Sequence, residues 1–151
     1  MKLARASQLA SVSQAVSRYG TDLEKKAFKA VEAVVTSCKE DVECYLGVLK
    51  KPDTQKIDNQ FQGIKAGYMI AILGNEQTPA KLVEALPSIT NAGLRHVTAQ
   101  AIDKLSPNGS KDVASKLDAI ITANAKSPDR DKSAGDTSLK QVMFRLNARS
   151  G

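Results

Sequence analysis

Residues 78–105 read TPAKLVEALPSITNAGLRHVTAQAIDKL, and this stretch decides the fold. It holds two apolar stripes separated by a turn. Thr78, with Pro79 in the first helical position, opens a short helix carrying Leu82, Val83 and Leu86. Pro87 shortens or kinks that helix, because proline has no amide proton and its ring clashes with the preceding turn. Asn91 is placed to cap a second, longer helix. Its Leu94, Val97, Thr98, Ala101, Ile102 and Leu105 recur at the helical period. Ser106-Pro107-Asn108-Gly109 then stops it.

The same pattern extends in both directions. Thr21-Asp22 caps a helix running to about Ser37, with Leu23, Ala27, Val31, Val34 and Cys38 on one stripe. Asp41 caps the next, with Val42, Tyr45, Leu46 and Leu49 apolar and Pro52-Asp53 at its end. Asp58 or Asn59 begins a longer helix with Phe61, Ile64, Tyr68, Ala71 and Ile72 inward, and Gly74-Asn75 reads as a left-handed cap. A further helix covers residues 111–125, with Val113, Leu117, Ile120 and Ile121 apolar. Residues 126–137 read as a polar loop, and Leu139, Val142, Met143 and Leu146 mark a last helix. No segment alternates at period two with β-branched enrichment, so the fold class is all-α, with about seven or eight helices. Short connections make successive helices antiparallel.

An internal repeat is visible. Residues 45–49 line up with 82–86 at an offset of 37. Ile64-Lys65 lines up with Leu94-Arg95, and Ala71-Ile72 with Ala101-Ile102, at an offset of 30. The length difference falls in the loop 52–58, where extra residues cost little. Each unit is a short helix, a turn and a longer helix. One unit cannot bury its apolar face alone, whereas stacked units share a core.

Leu82–Leu86-Pro87, Asn91, Leu94-Arg95, Thr98-Ala99, Ala101-Ile102 and Leu105 together resemble a HEAT repeat. That family's pattern has leucines and a proline on its first helix, and an acid or amide in the turn. An apolar-Arg pair and small residues follow on its second. Residues 45–75 resemble it less closely, with Lys65 for the arginine and Tyr68-Met69 for the small pair. The resemblance implies an α-α superhelix, a HEAT/armadillo-like solenoid of antiparallel helix pairs. It would be a single domain over 1–151, with capping helices at 1–38 and 110–151 flanking units at 41–75 and 78–106. It also implies a protein-binding scaffold. Second helices line the concave face in such folds, so Lys65, Arg95 and His96 are the expected partner contacts.

Composition narrows the functional classes. The 151 residues are 42% hydrophobic and 25% charged, enough for a core and too ordinary for wholesale disorder. No run of eighteen apolar residues exists, so no membrane span is expected. One histidine and two cysteines cannot build a zinc finger, and no metal or cofactor is expected. No glycine-rich phosphate loop is present. His96 stands alone without a marked nucleophile, which makes it a surface or groove-lining residue before a catalytic one. The chain therefore reads as a non-enzymatic module. Glu40, Asp41 and Glu43 sit at a helix start, where carboxylates favour the dipole. Gly63, Gly67 and Ala71 form a small-residue stripe, read either as close helix packing or as a cleft floor.

A net charge of +6 offers an alternative, non-specific electrostatic binding of nucleic acid through a basic concave face. The basic residues scatter over several units, and there is no tryptophan to stack on bases. Another protein is the preferred partner, and a solvated basic face serving solubility remains in play.

Cys38 ends one helix and Cys44 lies in the first turn of the next. Such a joint brings two Cα atoms within about 6 Å, as a disulfide requires. A structural disulfide, two reduced thiols, and a metal or redox pair compete for this position. The first goes with an exported or periplasmic protein, the second with a cytoplasmic one. Residues 1–20 lack a continuous apolar core for a secretory signal. Their serines and basic residues resemble an organellar transit segment, but Leu9, Val12, Val16 and Tyr19 share one stripe and favour a packed first helix.

Overall fold

In the computed structural model, residues 22–126 and 136–150 are described. The expected helix within residues 1–20 lies outside them, as does most of the polar loop before the last helix. The described residues form seven α-helices and no strand: α1 (Asp22–Cys38), α2 (Val42–Lys50), α3 (Gln60–Leu73), α4 (Thr78–Ala85), α5 (Ala92–Lys104), α6 (Lys111–Ala125) and α7 (Asp136–Arg149). The all-α class is thus observed. No helix among these residues is long and apolar enough to cross a membrane.

The helix starts follow the side chains that satisfy their free amides. Asp41 Oδ1 accepts from the Glu43 amide at 3.0 Å, and Asn91 Oδ1 accepts from the Leu94 amide at 3.1 Å. Ser110 Oγ accepts from the Val113 amide at 3.2 Å. Pro87 falls where α4 gives way to a 3-10 turn over Leu86–Ser88.

Two local expectations are corrected. Gly74 is extended, with φ −69° and ψ 173°, so it is not a left-handed cap. A Cβ there would lie 2.7 Å from Leu105 Cδ1 and 2.8 Å from the Ile70 carbonyl oxygen, so glycine is required by crowding. Asn59 holds the N-cap position of α3, as expected, and two 3-10 turns, Pro52–Gln55 and Ile57–Asn59, lead up to it. Thr54 is fully buried in the first, where its hydroxyl reaches the Val48 and Lys51 carbonyls at 2.9 and 2.8 Å. Finally, α7 begins at Asp136, inside the stretch read as loop.

α2 packs on α3, α4 on α5 and α6 on α7. Alternate helices form a row of neighbours, with α1 beside α3, α3 beside α5 and α5 beside α7. The short helix α4 touches both α2 and α6. One continuous core runs through all of them, from Val34 and Cys38 through Tyr45, Leu49, Ile70, Leu82, Leu94 and Ile102 to Leu117, Leu139 and Leu146.

Gln55 joins the segment after α2 to the turn before α5. Its side-chain NH2 donates to the Leu49 carbonyl at 2.8 Å. Its side-chain oxygen accepts from the Thr90 and Asn91 amides at 2.7 and 3.0 Å. The turn that precedes α5 is therefore held by the turn that follows α2.

Candidate functional site: a groove between the third and fifth helices

The close approach of α3 and α5 is set by the small-residue stripe. A Cβ on Gly63 would meet Leu94 Cδ1 and Cδ2 at 2.7 Å, and one on Gly67 would meet Val97 Cγ1 at 2.1 Å. A methyl group at either position requires the Leu94 or Val97 side chain to shift. The buried stripe of α3 is Gly63, Ala66, Gly67 and Ile70. The large side chains are consequently turned outward. Tyr68 is 50% exposed and Phe61 is 39% exposed, whereas the apolar spacing had placed both inward. The physical reason is that α3 touches α1, α2 and α5, so small residues occupy its contacts.

Beside this contact lies a groove of about 410 Å³, lined by Lys65, Gly67, Tyr68, Ala71, Ile72, Val97, Gln100, Ala101 and Lys104. The lining combines small and aliphatic residues with one aromatic, Tyr68, and its charged residues are two lysines. Both earlier readings of the small-residue stripe have a counterpart here. Gly63 and Gly67 serve packing, while Gly67 and Ala71 also line the groove.

The three expected contact residues do not stay together. Lys65 lines the groove and is half-buried. His96 is exposed, and its Nδ1 stands 2.5 Å from the Ser138 hydroxyl on α7. Arg95 is not presented to a partner at all. It is 2% exposed, and one of its terminal nitrogens is 2.7 Å from Asp136 Oδ1. The other donates to the Ile89 and Leu86 carbonyls at 3.1 and 3.5 Å. Asn124 of α6 also donates to Asp136 Oδ1 at 3.3 Å. Arg95 thus ties the turn after α4 to the first turn of α7, and its expected role as a contact gives way to an internal one. Its Nε is left without a partner.

Two groove residues went unpredicted, Gln100 and Lys104. Both follow His96 at four-residue steps on the outward side of α5, which is the signal that finds them. Asp103 is the acidic residue of α5, and it is engaged by Arg145 at 3.4 Å and Arg149 at 2.5 Å from α7.

At the other end of the row, the Cys38 and Cys44 sulfurs are 2.07 Å apart with Cα atoms at 5.4 Å, a disulfide closing the joint between α1 and α2. Lys39 in this joint has φ 53°, and its carbonyl accepts a 2.6 Å hydrogen bond from the Tyr45 hydroxyl. Burial pushes the Tyr45 phenol above its ordinary value, because the phenolate would be desolvated. Among the described residues, no group of three or more His, Cys, Asp or Glu side chains is placed to hold a metal ion. Chemically, the groove offers apolar burial, one aromatic face, an amide and two cations, which is equipment for binding. Compared with protein-family models, with curated proteins and with solved structures, the chain finds no match.

Proposed function

We propose that the chain is a non-enzymatic HEAT-like helical-repeat module that binds another protein across the face formed by α3, α5 and α7. The observation that carries this reading is the groove between α3 and α5, whose aromatic residue Tyr68 is half exposed beside small and aliphatic lining residues. Exposed aromatics next to apolar clefts are the surface type in which protein contacts concentrate.

Two further features support the repeat arrangement. Alternate helices are neighbours in a row, as stacked second helices would be. Polar links join neighbouring segments, Gln55 to the Asn91 amide on one side and Arg95 to Asp136 on the other. In this reading α6 and α7 are a third unit instead of a loose cap.

A photo-crosslinking amino acid placed at Tyr68 tests the proposal in the native source. The expected result is a discrete protein adduct from position 68 and none from Lys116, an exposed residue of α6. Equal labelling from both positions, or none from position 68, refutes the assignment of this face.

A further inference from the structure

We infer that the Cys38–Cys44 disulfide is a redox-operated latch: a thiol reductant frees α1 from α2 and α3 while the other helices stay folded. Burial locates the latch. Of residues 24–38 in α1, Val34 and Cys38 are buried, and the rest of the apolar stripe is half-buried. The nine-residue α2 buries four. A 17-residue helix with so small a share of the core opens more readily than its neighbours. Its packing on α3 is joined by a long hydrogen bond, from the Gln62 side chain to the Ala30 carbonyl at 3.4 Å. The disulfide ties the last residue of α1 to the first turn of α2, and so holds the helix at the end where it enters the core.

The joint is set against its own relaxation. Among the described residues, Lys39 is the non-glycine residue with a left-handed backbone, at φ 53°. A side chain disfavours that region, which persists where the surroundings over-determine it. Two groups do so here. The disulfide bridges across Lys39, and the Tyr45 hydroxyl is bonded to its carbonyl at 2.6 Å. Tyr45 is fully buried, so this side of the hinge stays with the core. Once the disulfide opens, a change at Lys39 alone re-aims all of α1. Cys44 is half-buried and Cys38 is 4% exposed, so the incoming thiolate attacks the Cys44 sulfur. The S–S bond breaks as the new one forms, and Cys38 leaves as a thiolate that takes up a proton. A second thiol of the reductant attacks the mixed disulfide and releases Cys44, which is protonated in turn. The reductant ends as a disulfide, having given two electrons to the protein.

The test is amide hydrogen exchange, read by mass spectrometry on the intact chain before and after dithiothreitol. In the oxidised chain α1 should be protected. After reduction, residues 24–38 should exchange fully at the shortest labelling time, while α3 and α5 keep their protection. Removing the reductant and reoxidising should restore α1. Cys44→Ser, at the half-buried end of the bond, should behave without reductant as the reduced chain does. Lys39→Gly should return part of the α1 protection in the reduced chain, because glycine takes φ 53° freely. Tyr45→Phe should remove still more of it, through loss of the bond to Lys39. Protection of α1 that survives reduction overturns the latch, since packing alone then holds the helix. Loss of protection in every helix together also overturns it, since the bond then supports the whole core. A reduced Lys39→Gly chain that exchanges as fast as the reduced parent removes the hinge from Lys39 and overturns the assignment.

Discussion

Replacing Asp136 by alanine removes the anion facing Arg95 and leaves a guanidinium whose side chain is 3% exposed. What remains around it are the Ile89 and Leu86 carbonyls at 3.1 and 3.5 Å, which are dipoles and not counter-charges. Breaking a buried pair from one side costs about 3–5 kcal/mol, because the surviving charge stays desolvated. For a chain of this length, that corresponds to a fall in Tm of roughly 10 °C. The chain has no tryptophan, so urea unfolding followed by far-UV circular dichroism is the appropriate assay. Arg95→Met should cost a similar amount, since among the described residues Asp136 then keeps the Asn124 amide, at 3.3 Å, and no counter-charge. The double variant Arg95→Met/Asp136→Ala should cost less than the sum of the two, with a coupling of about 2 kcal/mol. If Asp136→Ala costs less than about 1 kcal/mol, as an exposed pair would, the pair is hydrated and the reasoning fails. Additive single effects would refute it equally.

Gly67→Ala should destabilise by about 1–3 kcal/mol in the same assay, since the new methyl carbon would lie 2.1 Å from Val97 Cγ1. Unchanged stability would mean that the Val97 side chain moves aside at no cost. Stability should fall as pH rises past about 10, the ordinary tyrosine value, because the unfolded chain loses its Tyr45 proton first. The sign follows from the raised folded value: the contribution is complete below the unfolded pKa and lost as pH climbs through the folded one. Tyr45→Phe should flatten that part of the profile while costing about 1 kcal/mol at neutral pH, through loss of the bond to the Lys39 carbonyl. Reducing Cys38–Cys44 should lower stability by about 2 kcal/mol, as expected for a short loop, without abolishing folding. Complete unfolding on reduction would show that the α1–α2 joint supports more of the core than its loop length implies.

Helix positions were readable where a local hydrogen bond decides them. Asp41 and Asn91 announce α2 and α5 because a cap needs only residues two or three positions away. Facing was readable for α5, whose apolar stripe is buried, and misread for α3. A helix touched on several sides has no single apolar face, so Tyr68 and Phe61 could not be oriented from spacing. The start of α7 was hidden because the group that engages Asp136 lies 41 residues earlier, on another helix. Of the candidate site, Lys65 and the small-residue stripe were visible in the sequence. Arg95 was misassigned, since burial of a cation depends on a counter-ion that no local pattern reveals.

The Arg95–Asp136 pair also limits how this chain can be divided. A chain cut after Lys126 would keep α6 and every residue on the Arg95 side of the pair. It would nonetheless be a different object, because Arg95 would lose both its counter-charge and part of the cover that the last helix gives it. Removing α7 therefore also requires editing α5 at Arg95.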